Sequence, residues 1–336
     1  MRRLLTPLRR LAWGAAGLSG GGAVLLAGAI IIGDRRVSWQ GRGLMLALRA
    51  YRLWSTHQPQ DLAAVRRSQD AFGRGLATAS QVRIEDLTVA GCPAAWALPA
   101  HATPDRAVLY LHGGGYDSGS LVSHRGLVTR IADAARVRTL ALDYRLAPEH
   151  PFPAAVDDAT GAYRWLLAQG YAPAHIVVAG DSAGGGLVAA TLVALRDGDT
   201  PLPAGAALLS PWTDLSDPER TWERRASEDL LLTPDALHAG ARDYLHGRDP
   251  RTPLASPRYA DLRGLPPLLI QVGGDELLLD NTEAFAAHAQ AAGVDTRLEV
   301  WPGLFHVWHM MASYLPEARQ AIDRVGAFVR RRTGAA

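Results

Sequence analysis

The chain lacks lysine and any strong imbalance of charge. All 35 of its cationic side chains are arginine, which we attribute to codon bias, given the excess of alanine and glycine. The formal net charge is only +2. Outside the N-terminus the arginines form no basic stripe, so the composition argues against a nucleic-acid partner.

Cysteine is also scarce. Cys92 is the single cysteine of the chain, which excludes an internal disulfide, and no CxxC or Cys/His spacing is present that would hold zinc. Cys92 lies between Gly91 and Pro93 in a turn-like stretch, and we interpret it as a bystander rather than a nucleophile. Internal repeats and low-complexity linkers are absent too, so residues 81–336 are predicted to form one domain with a lid. No cofactor is expected.

The N-terminus carries the one long apolar run. Arg2, Arg3, Arg9 and Arg10 precede residues 11–33, which contain no charge and are long enough to cross a hydrocarbon core of about 30 Å as a helix. Three interpretations compete: a membrane anchor, a signal peptide cleaved at 27–29, or a buried helix of a cytoplasmic protein. The length of the run favours the anchor, with membrane contact through residues 11–33. Arginines on both sides leave its orientation open.

The rest of the chain has the pattern of an α/β protein. Residues 37–80 predict two amphipathic helices, interpreted as an N-terminal cap. Short apolar runs, typical of buried parallel strands, then alternate with helical stretches. The predicted strands are 107–111, 139–142, 176–179, 206–209, 268–272 and 297–300, and the predicted helices are 121–135, 154–169, 183–196 and 315–331. This predicts a mostly parallel sheet with helices on both faces. The polar, proline-rich residues 211–262 are expected to insert above its carboxyl edge as part of a helical cap.

A G-x-S-x-G pattern occupies residues 180–184. It follows the predicted strand 176–179 and opens the predicted helix 183–196, which is the strand–turn–helix context of a nucleophile elbow. Ser182 is therefore the candidate nucleophile. The alternative, a glycine-rich helix N-terminus that binds phosphate, lacks the basic residue that such a site needs.

A triple-glycine loop follows an earlier strand. His112 precedes Gly113, Gly114 and Gly115, whose lack of side chains leaves their amides free to face a ligand. With the amide of Ala183 they are candidates for an oxyanion hole. A plain flexible loop is the alternative, and the position at the carboxyl end of a strand argues against it.

The order of these motifs resembles that of a known family. The matching stretches are 111–116 (LHGGGY), 143–155 (DYRLAPEHPFPAA), 180–185 (GDSAGG), 209–214 (LSPWTD) and 302–307 (PGLFHV). Together they resemble the bacterial hormone-sensitive-lipase-like esterases, the GDXG lipolytic enzymes of the α/β-hydrolase superfamily, over residues 80–332. The resemblance implies an α/β-hydrolase fold with a helical cap and a serine carboxylic-ester hydrolase for short- to medium-chain esters that works through an acyl-enzyme. It also implies that Gly114 and Gly115 are the preferred amide donors beside Ala183.

The remaining catalytic candidates are a base and an acid. His306 lies in a Pro-Gly loop after a late strand and follows the serine in chain order, as this fold requires. Its close rival His309 is interpreted as a surface or packing residue. For the acid, counting the family pattern D-x-L-x-D back from Asp280 favours Glu276, whereas Asp275 fits with one extra residue. Either carboxylate could orient the imidazole.

Two other functions fit the same motifs. One is a serine amidase or peptidase on this fold. The other is a non-catalytic, hydrolase-like receptor, although such proteins usually lose the base or the nucleophile. The expected partner in each case is a small molecule, and for the favoured function it is an ester.

Overall fold

A mixed sheet organises the described part of the chain. The computed structural model describes residues 37–55, 61–217 and 220–335. Its strands are β1 (Val82–Val89), β2 (Cys92–Pro99), β3 (Thr103–Leu111), β4 (Val137–Leu142), β5 (Ile176–Asp181), β6 (Gly205–Leu209), β7 (Leu268–Gly273) and β8 (Thr296–Trp301). They lie in the order β1-β2-β4-β3-β5-β6-β7-β8. The pairs β1/β2 and β2/β4 are antiparallel and the other neighbours are parallel. The predicted mostly parallel sheet is confirmed.

Helices cover both faces of this sheet. They are α1 (Trp39–Ser55), α2 (Leu62–Gly75), α3 (Leu121–Ala135), α4 (Ala154–Ala168), α5 (Ala183–Asp197), α6 (Thr221–Arg225), α7 (Pro234–Leu245), α8 (Leu279–Ala291) and α9 (Pro316–Thr333). Helices α3 and α9 pack on one face, while α4, α5 and α8 pack on the other. The two helices predicted within residues 37–80 correspond to α1 and α2.

The core follows from the alternation of side chains along each strand. In β3, Val108 and Tyr110 face the α3/α9 layer, while Leu109 and Leu111 face the α4/α5 layer. All four are fully buried, and each such side chain stabilises the fold by roughly 1.5–3 kcal/mol. The central strands are buried on both faces, which is why their sequences are apolar throughout.

Helices that are distant in sequence approach the carboxyl edge of the sheet. Helix α7, from the segment between β6 and β7, approaches the triple-glycine loop so closely that a Cβ on Gly240 would lie 3.0 Å from the Gly115 carbonyl oxygen. Helix α2 packs against the start of α3, where a Cβ on Gly73 would lie 2.4 Å from the Ser123 Cα. The first contact places α7 against the loop that carries the candidate oxyanion donors, and the second places α2 against the helix that follows this loop.

The predicted N-terminal segment, residues 11–33, lies outside the described residues. Among the helices that the structure does describe, none combines the length and the apolar character needed to cross a bilayer.

Candidate active site

Ser182 stands on a sharp bend between β5 and α5. Its backbone angles, φ 53° and ψ −123°, are strained for a residue with a side chain. The bend requires glycine at position 184, because a Cβ there would lie 2.1 Å from the Leu111 carbonyl oxygen. The main-chain N–H of Ser182 is held by the carbonyl of Leu209 at 2.8 Å. This geometry lifts the hydroxyl to the edge of the sheet.

Three polar side chains form a hydrogen-bonded chain at this edge. His306 Nε2 lies 2.9 Å from Ser182 Oγ, and His306 Nδ1 lies 3.1 Å from Glu276 Oε2. A carboxylate only accepts, so Nδ1 carries the proton and Nε2 accepts from the serine hydroxyl. The side chains come from the loops after β5, β7 and β8, whose carboxyl ends lie at the same edge of the sheet. All three are buried.

The rival residues take different positions. Asp275, one residue before Glu276, is half-buried, and its main-chain N–H donates to the Leu304 carbonyl at 3.0 Å. His309 is fully buried, and its Nε2 lies 2.9 Å from Gln271 Oε1. Burial lowers the pKa of His309 to about 3. Of the two roles that the sequence left open for it, surface or packing, this buried position agrees with packing and not with the surface.

Electrostatics favour protonation of His306. Burial lowers its pKa, but the hydrogen bond and charge of Glu276, followed by the charges of Asp229 and Asp181, outweigh burial and raise the pKa above its ordinary value. Burial also raises the pKa of Glu276, against the hydrogen bond and charge of His306. The carboxylates around the imidazole thus favour its positively charged form.

The amides of the triple-glycine loop differ in their hydrogen bonding. The N–H of Gly113 donates to Asp181 Oδ1 at 3.1 Å, so Gly113 is removed from the predicted set of oxyanion donors. In the described ranges, the amides of Gly114, Gly115 and Ala183 have no protein acceptor. Gly114 has φ +119°, and a Cβ there would lie 2.3 Å from the Ser118 carbonyl oxygen. Only glycine fits that position.

A buried ion pair supports the loop, and sequence analysis missed it. Asp181 accepts from Tyr110 Oη at 2.6 Å and from Gly113 N, and its Oδ2 lies 3.2 Å from His124 Nε2. Burial raises the pKa of Asp181, but the charge and hydrogen bond of His124, with that of Tyr110, lower it to about 2. The available signal was an acidic residue directly before the nucleophile.

Helix α2 also contacts the loop through a set of polar side chains. Arg66 Nε donates to the Asp117 carbonyl at 2.7 Å, and Arg66 Nη2 donates to the Ala147 carbonyl at 2.9 Å and to Glu149 at 2.7 Å. Gln69 donates to Ser118 Oγ at 3.1 Å, and Ser118 Oγ donates to the Gly114 carbonyl at 2.7 Å. Helix α2 is therefore connected to Gly114, a candidate oxyanion residue, through the hydroxyl of Ser118. No sequence signal indicated these contacts.

A cluster of buried aromatic side chains is linked to the serine through the main chain of Trp212. The main-chain N–H of Trp212 donates to the Ser182 carbonyl at 2.9 Å. The Tyr116 ring lies 6.0 Å from the Trp212 ring and stacks on Tyr244 at 3.8 Å. Within the described residues, no group of three or more His, Cys, Asp or Glu is arranged to hold a metal ion.

The chain is similar to known hydrolases over most of its length. The sequence family described as alpha/beta hydrolase fold matches residues 108–310. The chain is 50% identical over 268 residues to an acetyl-hydrolase from Streptomyces hygroscopicus, covering 80% of this chain and 88% of that protein. It is 36% identical over 232 residues to an esterase from Acinetobacter venetianus, covering 69% of this chain and 77% of that protein.

A solved structure extends this similarity to three dimensions. The crystal structure of an esterase from the bacterial hormone-sensitive lipase family superposes with a TM-score of 0.83 and 46% identity. The superposition covers 86% of this chain and 98% of that one.

Proposed function

Because the chain belongs to the hormone-sensitive-lipase-like family of α/β hydrolases and is a carboxylic-ester hydrolase, we propose that it works through an acyl-enzyme on Ser182. The catalytic groups of this proposal are Ser182, His306 and Glu276, with the amides of Gly114, Gly115 and Ala183 as oxyanion donors. The observation that carries it is the continuous hydrogen-bonded chain from Ser182 Oγ through the imidazole to Glu276.

Acylation uses the proton arrangement inferred for the free enzyme. His306 Nε2 takes the hydroxyl proton as Ser182 Oγ bonds to the ester carbonyl carbon, and the carbonyl oxygen becomes an oxyanion facing the loop amides. Glu276 stabilises the imidazolium that forms. His306 then gives its proton to the alkoxy oxygen, the carbon–oxygen bond breaks, and the alcohol leaves.

Deacylation repeats the same transfers with water. His306 takes a proton from water as its oxygen attacks the acyl carbon, and a second oxyanion occupies the same amides. When this intermediate collapses, His306 returns the proton to Ser182 Oγ and the carboxylic acid departs. The amide donors serve both intermediates, and each such donor is typically worth roughly 3–4 kcal/mol in the transition state.

The test is removal of the serine hydroxyl. Ser182→Ala is expected to lower kcat on p-nitrophenyl acetate on the order of 10⁶-fold and to abolish labelling by a fluorophosphonate probe. Unfolding by urea, compared with the wild type, controls for folding. A folded variant that still hydrolyses the ester at a near wild-type rate would exclude Ser182 as the nucleophile, whereas a wild type that accepts amides but no esters would favour the amidase alternative.

The preferred substrates in this proposal are esters with short to medium acyl chains. Tyr116 and Trp212 are fully buried, and the main chain of Trp212 bonds to Ser182. In the proposal, α1, α2 and the 211–262 segment act as the cap. An acetyl-hydrolase among the relatives makes acetyl esters the first substrates to test. In a series of p-nitrophenyl esters from acetate to palmitate, kcat/KM is expected to peak among the short chains, and a maximum at palmitate would contradict this preference.

A further inference from the structure

Asp229 is a buried carboxylate outside the proposed triad. It lies in the 211–262 segment, ahead of α7, and is 0% exposed. Its Oδ1 accepts the main-chain N–H groups of Leu231 and Leu232 at 2.8 and 2.9 Å, and its Oδ2 accepts the N–H of Leu277 at 2.9 Å. The first two bonds are a local turn, while the third crosses to the loop after β7.

The contact with Leu277 bears on the reaction because Leu277 directly follows Glu276. A main-chain amide fixed on one side of Glu276 restricts the backbone that carries its side chain. The Asp275 N–H, held by the Leu304 carbonyl, fixes the other side at 3.0 Å. A turn residue alone would need only the two bonds to Leu231 and Leu232, and serine or asparagine could make those without burying a charge.

We propose that Asp229 is a positioning residue for the triad, which holds the backbone of Glu276 in place and adds a second negative charge that stabilises the imidazolium of His306. This inference rests on the proposed function. It makes the 211–262 segment a part of the catalytic support as well as a cover for the site.

The charges around His306 agree with this role. The charged and titratable side chains that face it are Glu276 from the loop after β7, Asp229 from the 211–262 segment, Asp181 at the end of β5, and His309 from its own loop. Against the lowering effect of burial, the three carboxylates raise the pKa of His306, Glu276 most and Asp229 next. Asp229 therefore acts on the base as well as on the acid.

The experiment replaces the charge while keeping the shape. Asp229→Asn removes the negative charge and sets an amide NH₂ or a weaker acceptor against the Leu277 N–H. Loss of a hydrogen bond to a charged group predicts a fall in kcat/KM of roughly ten- to hundredfold on p-nitrophenyl acetate. Because a positive imidazole loses a stabilising charge, the acidic limb of the kcat/KM profile is also expected to move to lower pH. The smaller Asp229→Ser should move it the same way.

A matched control is available in the same segment. Asp217 is also buried, and it accepts from the N–H groups of Thr221 and Trp222 at 2.9 and 3.1 Å. Asp217→Asn should lower the stability of the protein, while the acidic limb of the variant's kcat/KM profile stays at the wild-type pH. The position of the limb is a property of the active molecules, so partial unfolding does not hide a shift.

The outcomes separate the two proposals. An active wild type whose acidic limb is unmoved in both Asp229 variants would overturn the positioning role and leave the proposed function standing. A wild type without esterase activity or fluorophosphonate labelling would instead remove the proposed function itself.

Discussion

Two neighbouring carboxylates, Asp275 and Glu276, differ in surroundings although one peptide bond separates them. Glu276 is fully buried with Oε2 against His306 Nδ1, whereas Asp275 is half-buried and fixed by its main chain to Leu304. The two residues lie in a tight turn after β7, and it is the Glu276 carboxylate that contacts the imidazole. In the proposed mechanism Glu276 keeps His306 in the reactive tautomer.

This difference gives the first prediction at the scale of residues. Glu276→Gln preserves shape but presents an amide that can stabilise the wrong tautomer of His306, and kcat should fall on the order of 10⁴-fold. Asp275→Asn is the matched control and should lower kcat by less than tenfold. Steady-state kinetics on p-nitrophenyl acetate decide between them, and a reversed ranking would make Asp275 the acid.

The pH dependence follows from the shifted base. Burial lowers the pKa of His306, but Glu276, Asp229 and Asp181 raise it above 6.5. Catalysis needs the neutral imidazole, so kcat/KM is lost as pH falls through this raised pKa. The midpoint of the acidic limb should therefore lie above pH 6.5 on an ester without ionisable groups. A midpoint at or below 6.5 would contradict the electrostatic account.

At the scale of elements, helix α2 acts on the triple-glycine loop from outside the sheet. Arg66 and Gln69 lie on one face of the helix, as residues three apart do, and both contact the stretch between Gly114 and Ser118 directly or through one hydroxyl. The oxyanion donors of the proposal thus depend on an N-terminal helix that contributes no reacting group.

Arg66 is expected to hold the glycine loop in the geometry that oxyanion binding needs. Arg66→Met removes the hydrogen bonds to the Asp117 and Ala147 carbonyls and should lower kcat by about tenfold, less than the 10²–10³ expected for outright loss of a donor, with KM little changed. Arg67→Met, an exposed neighbour on the same helix, is the control. Affinity for a trifluoromethyl ketone, which forms an oxyanion on the serine, should weaken in parallel. An unchanged affinity for the ketone would show that α2 does not support the oxyanion hole.

The elements themselves were largely predictable from the sequence. The predicted helix 121–135 matches α3 (Leu121–Ala135), and the predicted strand 176–179 lies inside β5 (Ile176–Asp181), because each is a single apolar pattern bounded by turn residues. The β1/β2 pair was not predicted. Its second strand, Cys92–Pro99, is a sheet-interior strand with proline at both ends and little alternation, so its local pattern does not distinguish it from a loop.

The candidate site was predictable only where chain order constrains it. The motif at 180–184 and the late position of His306 are sequence properties, and those residues do lie together. The supporting residues Asp229, His124 and Arg66 act across 48, 57 and 51 positions of the chain, respectively. Contacts at such separations are set by the packing of elements, which a local pattern does not contain.

At the scale of the whole molecule, a buried ion pair connects a helix that covers the sheet with the end of a central strand. His124 belongs to α3, while its partner Asp181 ends β5 and also accepts from Tyr110 of β3. The pKa of Asp181 falls from 3.8 to about 2 in the fold, so its contribution to stability is present above pH 3.8 and is lost as pH falls towards 2. The raised pKa of His124 gives the opposite trend, with a contribution that is lost as pH rises through the raised value.

Removing the positive charge of His124 should therefore lower the stability of the fold, including its resistance to acid unfolding. His124→Gln leaves Asp181 charged and buried without its ionic partner, which typically destabilises a protein by about 3 kcal/mol or more. Because the pKa of Asp181 then rises, acid unfolding should begin at a higher pH. Urea unfolding at pH 6 and pH 4 measures both effects. His175→Gln, which alters a surface pair with Asp105, is the control, and equal stability of the two variants would contradict the prediction.

The close approach of Gly240 in α7 to the Gly115 carbonyl has a consequence for recombination between relatives. A chimaera that imports residues 211–262 from another esterase to change its substrate range replaces both this glycine and the carboxylate at 229. A donor with a bulkier residue at 240 would push the glycine loop aside. Libraries built by exchanging this segment should therefore be filtered at these two positions before any screen for new substrates.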